Sequence, residues 1–219
     1  MIRVEEVLEY KFFLMRHIFI GDIHGCADEF QALLKKVDFQ DKNCLHIVWD
    51  MINKWPKSLE VLEYIYEMWQ KCRAILGNHE IKFLENFEAI SEVPPEKWIF
   101  PRLASQLKAK PYLLEYLQEL PHFIEEDTFL MLHAWTQKFI PPRSFVHTKE
   151  YRKSLKHDWY KEYSGGKPII YWHWSEQGLQ IRENTIGIDT WCVDGWSLSA
   201  FILETREVIQ QKCLQVWGY

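Results

Sequence analysis

Phe19-Ile20-Gly21-Asp22-Ile23-His24-Gly25-Cys26 is the stretch on which the fold turns. Ile18, Phe19 and Ile20 form an apolar strand that runs into a turn bounded by two glycines. A carboxylate and an imidazole, Asp22 and His24, sit two residues apart between those glycines. Side chains alternate along extended backbone, so both can leave the strand end on the same side. Gly21 and Gly25 allow a sharp turn and an early helix start. A carboxylate–imidazole pair at a strand end suits a divalent transition metal. Alone, the same spacing is also that of a solvated turn.

Downstream the pattern repeats. Ala27 to Val37 carries Phe30, Leu33, Leu34 and Val37 at helical spacing. Cys44 to Val48 reads as a second buried strand ending at Trp49-Asp50, and Pro56 opens a helix with Leu59, Leu62, Ile65, Tyr66 and Trp69 on one face. Arg73 to Leu76 reads as a third strand ending at Gly77-Asn78-His79-Glu80, with a helix to Phe87. Strand, polar loop and helix occurring three times predict an α/β fold with a largely parallel sheet. Ligands of such sheets gather at the carboxyl ends of the strands. Residues 91–120 predict a helical, aromatic insert, placed as a cap over the site and containing Trp98, Phe100, Tyr112 and Tyr116. His122 to Glu125 and Phe129 to His133 predict a hairpin, and Lys167 to Tyr171 predicts a strand ending at His173. Short β segments follow at 180–182, 186–189, 197–203 and 208–212. Residues 1–16 read as an extension before a domain over 17–219, with Met15 as a candidate start.

Composition narrows the function classes. The 219 residues are 47% hydrophobic and 26% charged, with a net charge of -5, the balance of a soluble globular domain. No basic stripe favours broad nucleic-acid binding. No apolar run approaches a membrane span, and Glu5, Glu6 and Glu9 do not suit a signal peptide, so a cytoplasmic protein is expected. The 5 cysteines show no C-x-x-C and read as reduced thiols rather than a disulfide frame or zinc ribbon.

Six side chains fall at predicted strand ends: Asp22, His24, Asp50, Asn78, His133 and His173. Singly, each has a structural reading: Asn78 as a helix cap, Asp50 as a turn carboxylate, either late histidine as a satisfied core residue. Together they suit two metal ions sharing one carboxylate, and mixed nitrogen and oxygen donors favour Mn²⁺, Fe, Zn or Co over Mg²⁺. Two such ions activate water and clamp a phosphoryl group. His79 beside Asn78 is placed to protonate a leaving oxygen.

Gly21-Asp22-Ile23-His24-Gly25, Asp50-x-x-Asn53-Lys54-x-Pro56, Gly77-Asn78-His79-Glu80, His133-Ala134 and His173-Trp174 resemble the motifs of calcineurin-like metallophosphoesterases. The resemblance covers about residues 17–205. Within that family it is closest to the symmetrical bis(5'-nucleosyl)-tetraphosphatases, through His173-Trp174, Ile188-Asp189-Thr190-x-Cys192-Val193 and Asn53-Lys54. It implies a β-sandwich flanked by helices. It implies one metal on Asp22, His24 and His173, another on Asn78 and His133, and Asp50 bridging. Asn53 and Lys54 would meet substrate phosphate, Lys54 as a point charge. The implied substrate is a dinucleoside polyphosphate; a phosphoprotein or a capped RNA end is the alternative.

Trp49, Trp55, Trp135, Trp172, Trp191 and Trp196 stand where the resemblance leads one to expect glycine, and Trp69 is a further candidate. Indoles there are expected to crowd the metals through overpacking or strain. Crowding of that kind would leave a binding module without catalysis. The departures are of one type, as arises when a codon read as glycine in some bacterial lineages is read as tryptophan. The chain has 11 Trp and only 9 Gly. Returning all seven positions to glycine restores the usual share of about 7%.

Overall fold

A computed structural model of the chain describes residues 15–48, 50–96, 98–133, 159–171 and 178–214. In chain order its first elements are β1 (His17–Ile20), α1 (Ala27–Lys36), β2 (Cys44–Ile47), α2 (Ser58–Glu67), β3 (Cys72–Ala74), α3 (Asn78–Glu85) and α4 (Phe87–Ser91). Next come α5 (Ile99–Ala109), α6 (Pro111–Glu119), β4 (Phe123–Glu125), β5 (Leu130–Leu132), α7 (Trp159–Glu162) and β6 (Ile169–Tyr171). The last are β7 (Gln180–Ile181), β8 (Thr185–Gly187), a 3-10 turn (Cys192–Asp194), β9 (Ser197–Ile202) and β10 (Glu207–Lys212).

Two five-stranded sheets result, ordered β10-β9-β1-β2-β3 and β4-β5-β6-β8-β7. β1, β2 and β3 are parallel because helices α1 and α2 carry the chain back between them. Within this sheet the expectation of parallel strands holds for those three. β9 lies antiparallel to β1 and β10 antiparallel to β9, so the first sheet is mixed. The second is mixed as well: β5, β6 and β8 run parallel, with β4 and β7 antiparallel at its edges.

Strand alternation builds the layers. Ile18 and Ile20 of β1 face Phe30, Leu33 and Leu34 of α1 in a helix-side core. Phe19 faces the other way, into an apolar layer with Phe201, Met131, Ile170 and Ile186 from both sheets. A third cluster, with Leu130, Ile169 and Tyr160, covers the outer face of the second sheet. The insert over 91–120 does not form a cap. Its α5 and α6 bury Leu103, Leu107, Leu113 and Leu117 in the helix-side core, because those residues recur at helical spacing and find the apolar face of α2. Tyr116 packs there too, edge-on to Tyr66 at 5.5 Å.

His46 sits in the layer between the sheets, stacked on Phe19 at 4.5 Å and sharing a 2.9 Å hydrogen bond with His17. Burial, then the neighbouring His17 and Arg73, push its pKa down to about 3. The unfolded chain takes up a proton that the folded chain refuses, so stability is complete above about pH 6.5 and is lost as pH falls towards 3. Melting temperatures measured across this window are expected to fall more steeply for the native chain than for His46→Gln. Equal slopes would contradict the assignment.

Candidate metal centre

Three loops at the carboxyl ends of β1, β2 and β3 build one polar cleft. The first two loops are joined through backbone: His24 N–H donates to the Asp50 carbonyl at 2.6 Å, and Gly25 N–H to the Met51 carbonyl at 2.9 Å. Gly25 has φ +75, and a Cβ there would lie 2.5 Å from the Trp55 carbonyl oxygen, so glycine is required. The third loop is held by Glu80, which is fully buried. Its Oε1 accepts from Ile52 N–H at 3.0 Å and its Oε2 from Gly77 N–H at 2.9 Å. Burial pushes the Glu80 carboxyl up to about 7, against the pull of the backbone N–H groups that it accepts. Glu80 belongs to the motif, yet its tie between two loops was not read from the sequence; a carboxylate in the first turn after a strand-end motif was the available signal.

His24, Asp50, Asn53 and Lys54 all have positive φ, at 46, 36, 74 and 57 degrees. Such conformations cost of order 1 kcal/mol or more each and gather at functional sites. Here they turn the side chains towards one point. His24 Nε2 lies 3.2 Å from Asp22 Oδ2 and 3.7 Å from Asp50 Oδ2. His24 Nδ1 is 3.1 Å from the Ile52 carbonyl oxygen and donates to it. That bond leaves the Nε2 lone pair facing two carboxylate oxygens. Burial, then Lys54, lower the His24 pKa to about 3, so the imidazole is neutral. Burial, then Asp22 and Glu80, raise the Asp50 carboxyl well above the usual carboxylate range. A lone pair and two carboxylates converging in a buried site repel one another. A divalent cation between them removes that conflict, and a second partner on the other ring nitrogen is the usual setting of a metal-ligating histidine. The residues therefore fit a metal ion.

Asn78 and His133 meet at the same mouth, with Asn78 Oδ1 2.9 Å from His133 Nε2. Asn78 comes from the sheet of β1 and His133 from the sheet of β5. His173, the remaining expected ligand, lies outside the described residues, as do Trp49, Trp135 and Trp172. His79 lines the cleft, edge-on to His24 at 4.8 Å, and its backbone N–H donates to Asp50 Oδ1 at 3.2 Å. Asn53 Nδ2 donates to His79 Nδ1 at 2.6 Å, so Asn53 reaches the histidine beside it. Lys54 lines the cleft.

The cleft holds about 170 Å³ and is also lined by Asp189 and Trp191. Among the described tryptophans at expected glycine positions, only Trp191 lines it. Trp55 is buried in the helix-side core and donates its indole N–H to the Val193 carbonyl at 3.1 Å. Trp69 and Trp196 are exposed. Of the four described tryptophans at such positions, one therefore stands at the wall of the cleft. Trp191 has φ 51 and ψ 49, left-handed backbone that a bulky residue adopts at a cost of roughly 1–2 kcal/mol. Trp191→Gly is expected to raise stability by about 1 kcal/mol after glycine's own entropic cost. Chemical denaturation measures this, and a destabilised variant would show that indole packing outweighs the strain.

The profile of calcineurin-like phosphoesterases matches residues 15–196. A symmetrical bis(5'-nucleosyl)-tetraphosphatase of Chromobacterium violaceum is 26% identical over 89% of this chain and 94% of that one. A protein of the same name from Escherichia coli is 37% identical over 52% of this chain and 41% of its own. A crystal structure provisionally named a diadenosine tetraphosphatase superposes with a TM-score of 0.76 at 25% identity, covering 94% of this chain and 96% of that one.

Proposed function

The chain belongs to the calcineurin-like phosphoesterase family, and on that premise we propose that it is a hydrolase cleaving dinucleoside polyphosphates symmetrically, diadenosine tetraphosphate and water giving two ADP. The observation that carries this reading is the convergence of His24 Nε2 on Asp22 and Asp50 at the strand ends. The names of the relatives supply the substrate class.

In this reading Asp22, His24, Asp50, Asn78, His133 and His173 would hold two divalent cations. Manganese is the first choice, with iron, zinc or cobalt as alternatives. Such ions supply Lewis-acid polarisation of a phosphoryl oxygen and make water acidic enough to attack it. The chain's own groups do the rest. Lys54 offers its ammonium to a phosphate oxygen as a compact charge. The Asn53 amide N–H occupies His79 Nδ1, which leaves the proton on Nε2, the atom that can give it to the departing ADP oxygen. A cleft of about 170 Å³ takes phosphates and leaves the two nucleosides outside it.

Among the described residues no helix is long and apolar enough to cross a membrane. The test is product analysis with manganese-loaded protein and diadenosine tetraphosphate. ADP as sole product supports the reading. ATP with AMP overturns the symmetrical cleavage, and phosphate release confined to a phosphopeptide overturns the substrate class.

A further inference from the structure

Glu29, Cys192 and Cys213 come from three distant parts of the chain and meet at one point, with Cys26 at the start of the helix that carries Glu29. Cys26 caps α1 and Glu29 follows three residues later, so one helical turn sets both on the same face. Cys192 opens the 3-10 turn, and Cys213 follows β10 directly. The donor atoms of Glu29, Cys192 and Cys213 lie within 4.8 Å of one another. The Cys213 thiol donates to Glu29 Oε1 at 3.6 Å, and Leu214 N–H donates to the same oxygen at 2.8 Å. Cys26 and Cys213 both neighbour the Cys192 thiol. Cys26, Glu29 and Cys192 are each at most 2% exposed. All five cysteines of the described residues are free, so no disulfide explains the gathering.

We propose that Glu29, Cys192 and Cys213, with Cys26 beside Cys192, form a sulfur and oxygen site for a zinc-class divalent cation, on donors other than those expected to hold the hydrolytic ions, although Cys192 also lines the cleft. Thiolates and carboxylates are both zinc ligands. Soft sulfur selects zinc over the harder cations that nitrogen and oxygen donors favour. Cys26 beside it, and then burial, push the Cys192 thiol far up, so that thiol carries its proton when no cation is bound. A cation entering the site displaces thiol protons to solvent and compensates the buried carboxylate. The bound ion ties the start of α1 to the 3-10 turn and to the chain leaving β10. His24, two residues before Cys26, is thereby held in place.

Cobalt titration of the reduced full chain tests this, because a cobalt–thiolate bond absorbs in the near ultraviolet and a nitrogen–oxygen centre does not. The absorption is expected in the native chain, in Asp50→Asn and in Cys44→Ser, and is expected to vanish in Cys192→Ser and Cys213→Ser. Its absence from the native chain, or its survival in Cys213→Ser, overturns the site. Should either cysteine variant fail to fold, zinc-edge X-ray absorption of the native chain decides. Sulfur at about 2.3 Å supports the site, and a shell of nitrogen and oxygen alone overturns it. Loss of hydrolysis without loss of the absorption bears on the phosphoesterase reading and leaves this site intact.

Discussion

Asp50→Asn is expected to lower the turnover of diadenosine tetraphosphate by about 10³-fold or more, about 4 kcal/mol of lost transition-state stabilisation. The reason is charge rather than shape. Asparagine keeps an oxygen for the His79 N–H, which lies 3.2 Å from Asp50 Oδ1, so the loop can persist. It removes the carboxylate shared between the two expected ion positions, and with it the negative charge that binds them. The same change takes away the like-charge contact with Asp22 and Glu80 that raises the Asp50 carboxyl. The metal-free variant is therefore expected to melt no lower than the metal-free native chain, while its manganese content falls. Full activity in the variant, or a large drop in its metal-free melting temperature, would assign Asp50 to scaffolding.

Gly77→Ala is expected to damage both stability and activity. A Cβ at Gly77 would stand 2.2 Å from Asp50 Oδ1, 2.8 Å from Glu80 Oε2 and 2.9 Å from Asp50 N. None of these atoms is free to retreat. Asp50 N is backbone, and the Glu80 carboxylate is held by two N–H groups. Either the Asp50 loop moves or the Gly77–Glu80 hydrogen bond breaks, at a cost of about 1–3 kcal/mol by overpacking. Displacement of about 1 Å at a positioning group lowers catalysis by roughly 10²-fold. Thermal melts and steady-state kinetics on one preparation check both arms. A variant with native kinetics would show that the loop has room that the geometry denies.

The sequence was most informative where a strand end and the polar residue it presents to the cleft lie within a few residues. Asp22, His24, Asp50 and Asn78 each follow an apolar strand that could be read locally, and the first three parallel strands follow from the same pattern. Contacts between distant segments were less legible. β9 pairs with β1 across some 180 residues of chain, and nothing in the spacing of either announces the antiparallel edge. The cysteine cluster joins position 26 to 192 and 213, so pair spacing could not reveal it; Cys26-x-x-Glu29 on one helical face was the only local trace. Asn53 reaching His79 joins two motifs that were read separately. The insert's destination was missed because an apolar helical stripe says that a face is buried without saying against what.

The contact between Asn78 and His133 has a kinetic meaning. Asn78 opens α3 just beyond β3 of the first sheet, His133 follows β5 of the second, and 55 residues separate them. Neither half of the sandwich contains the whole site, so secondary structure can form well before function does. During refolding from denaturant, ellipticity is therefore expected to recover ahead of hydrolysis, the lag measuring the time the two sheets need to close on each other.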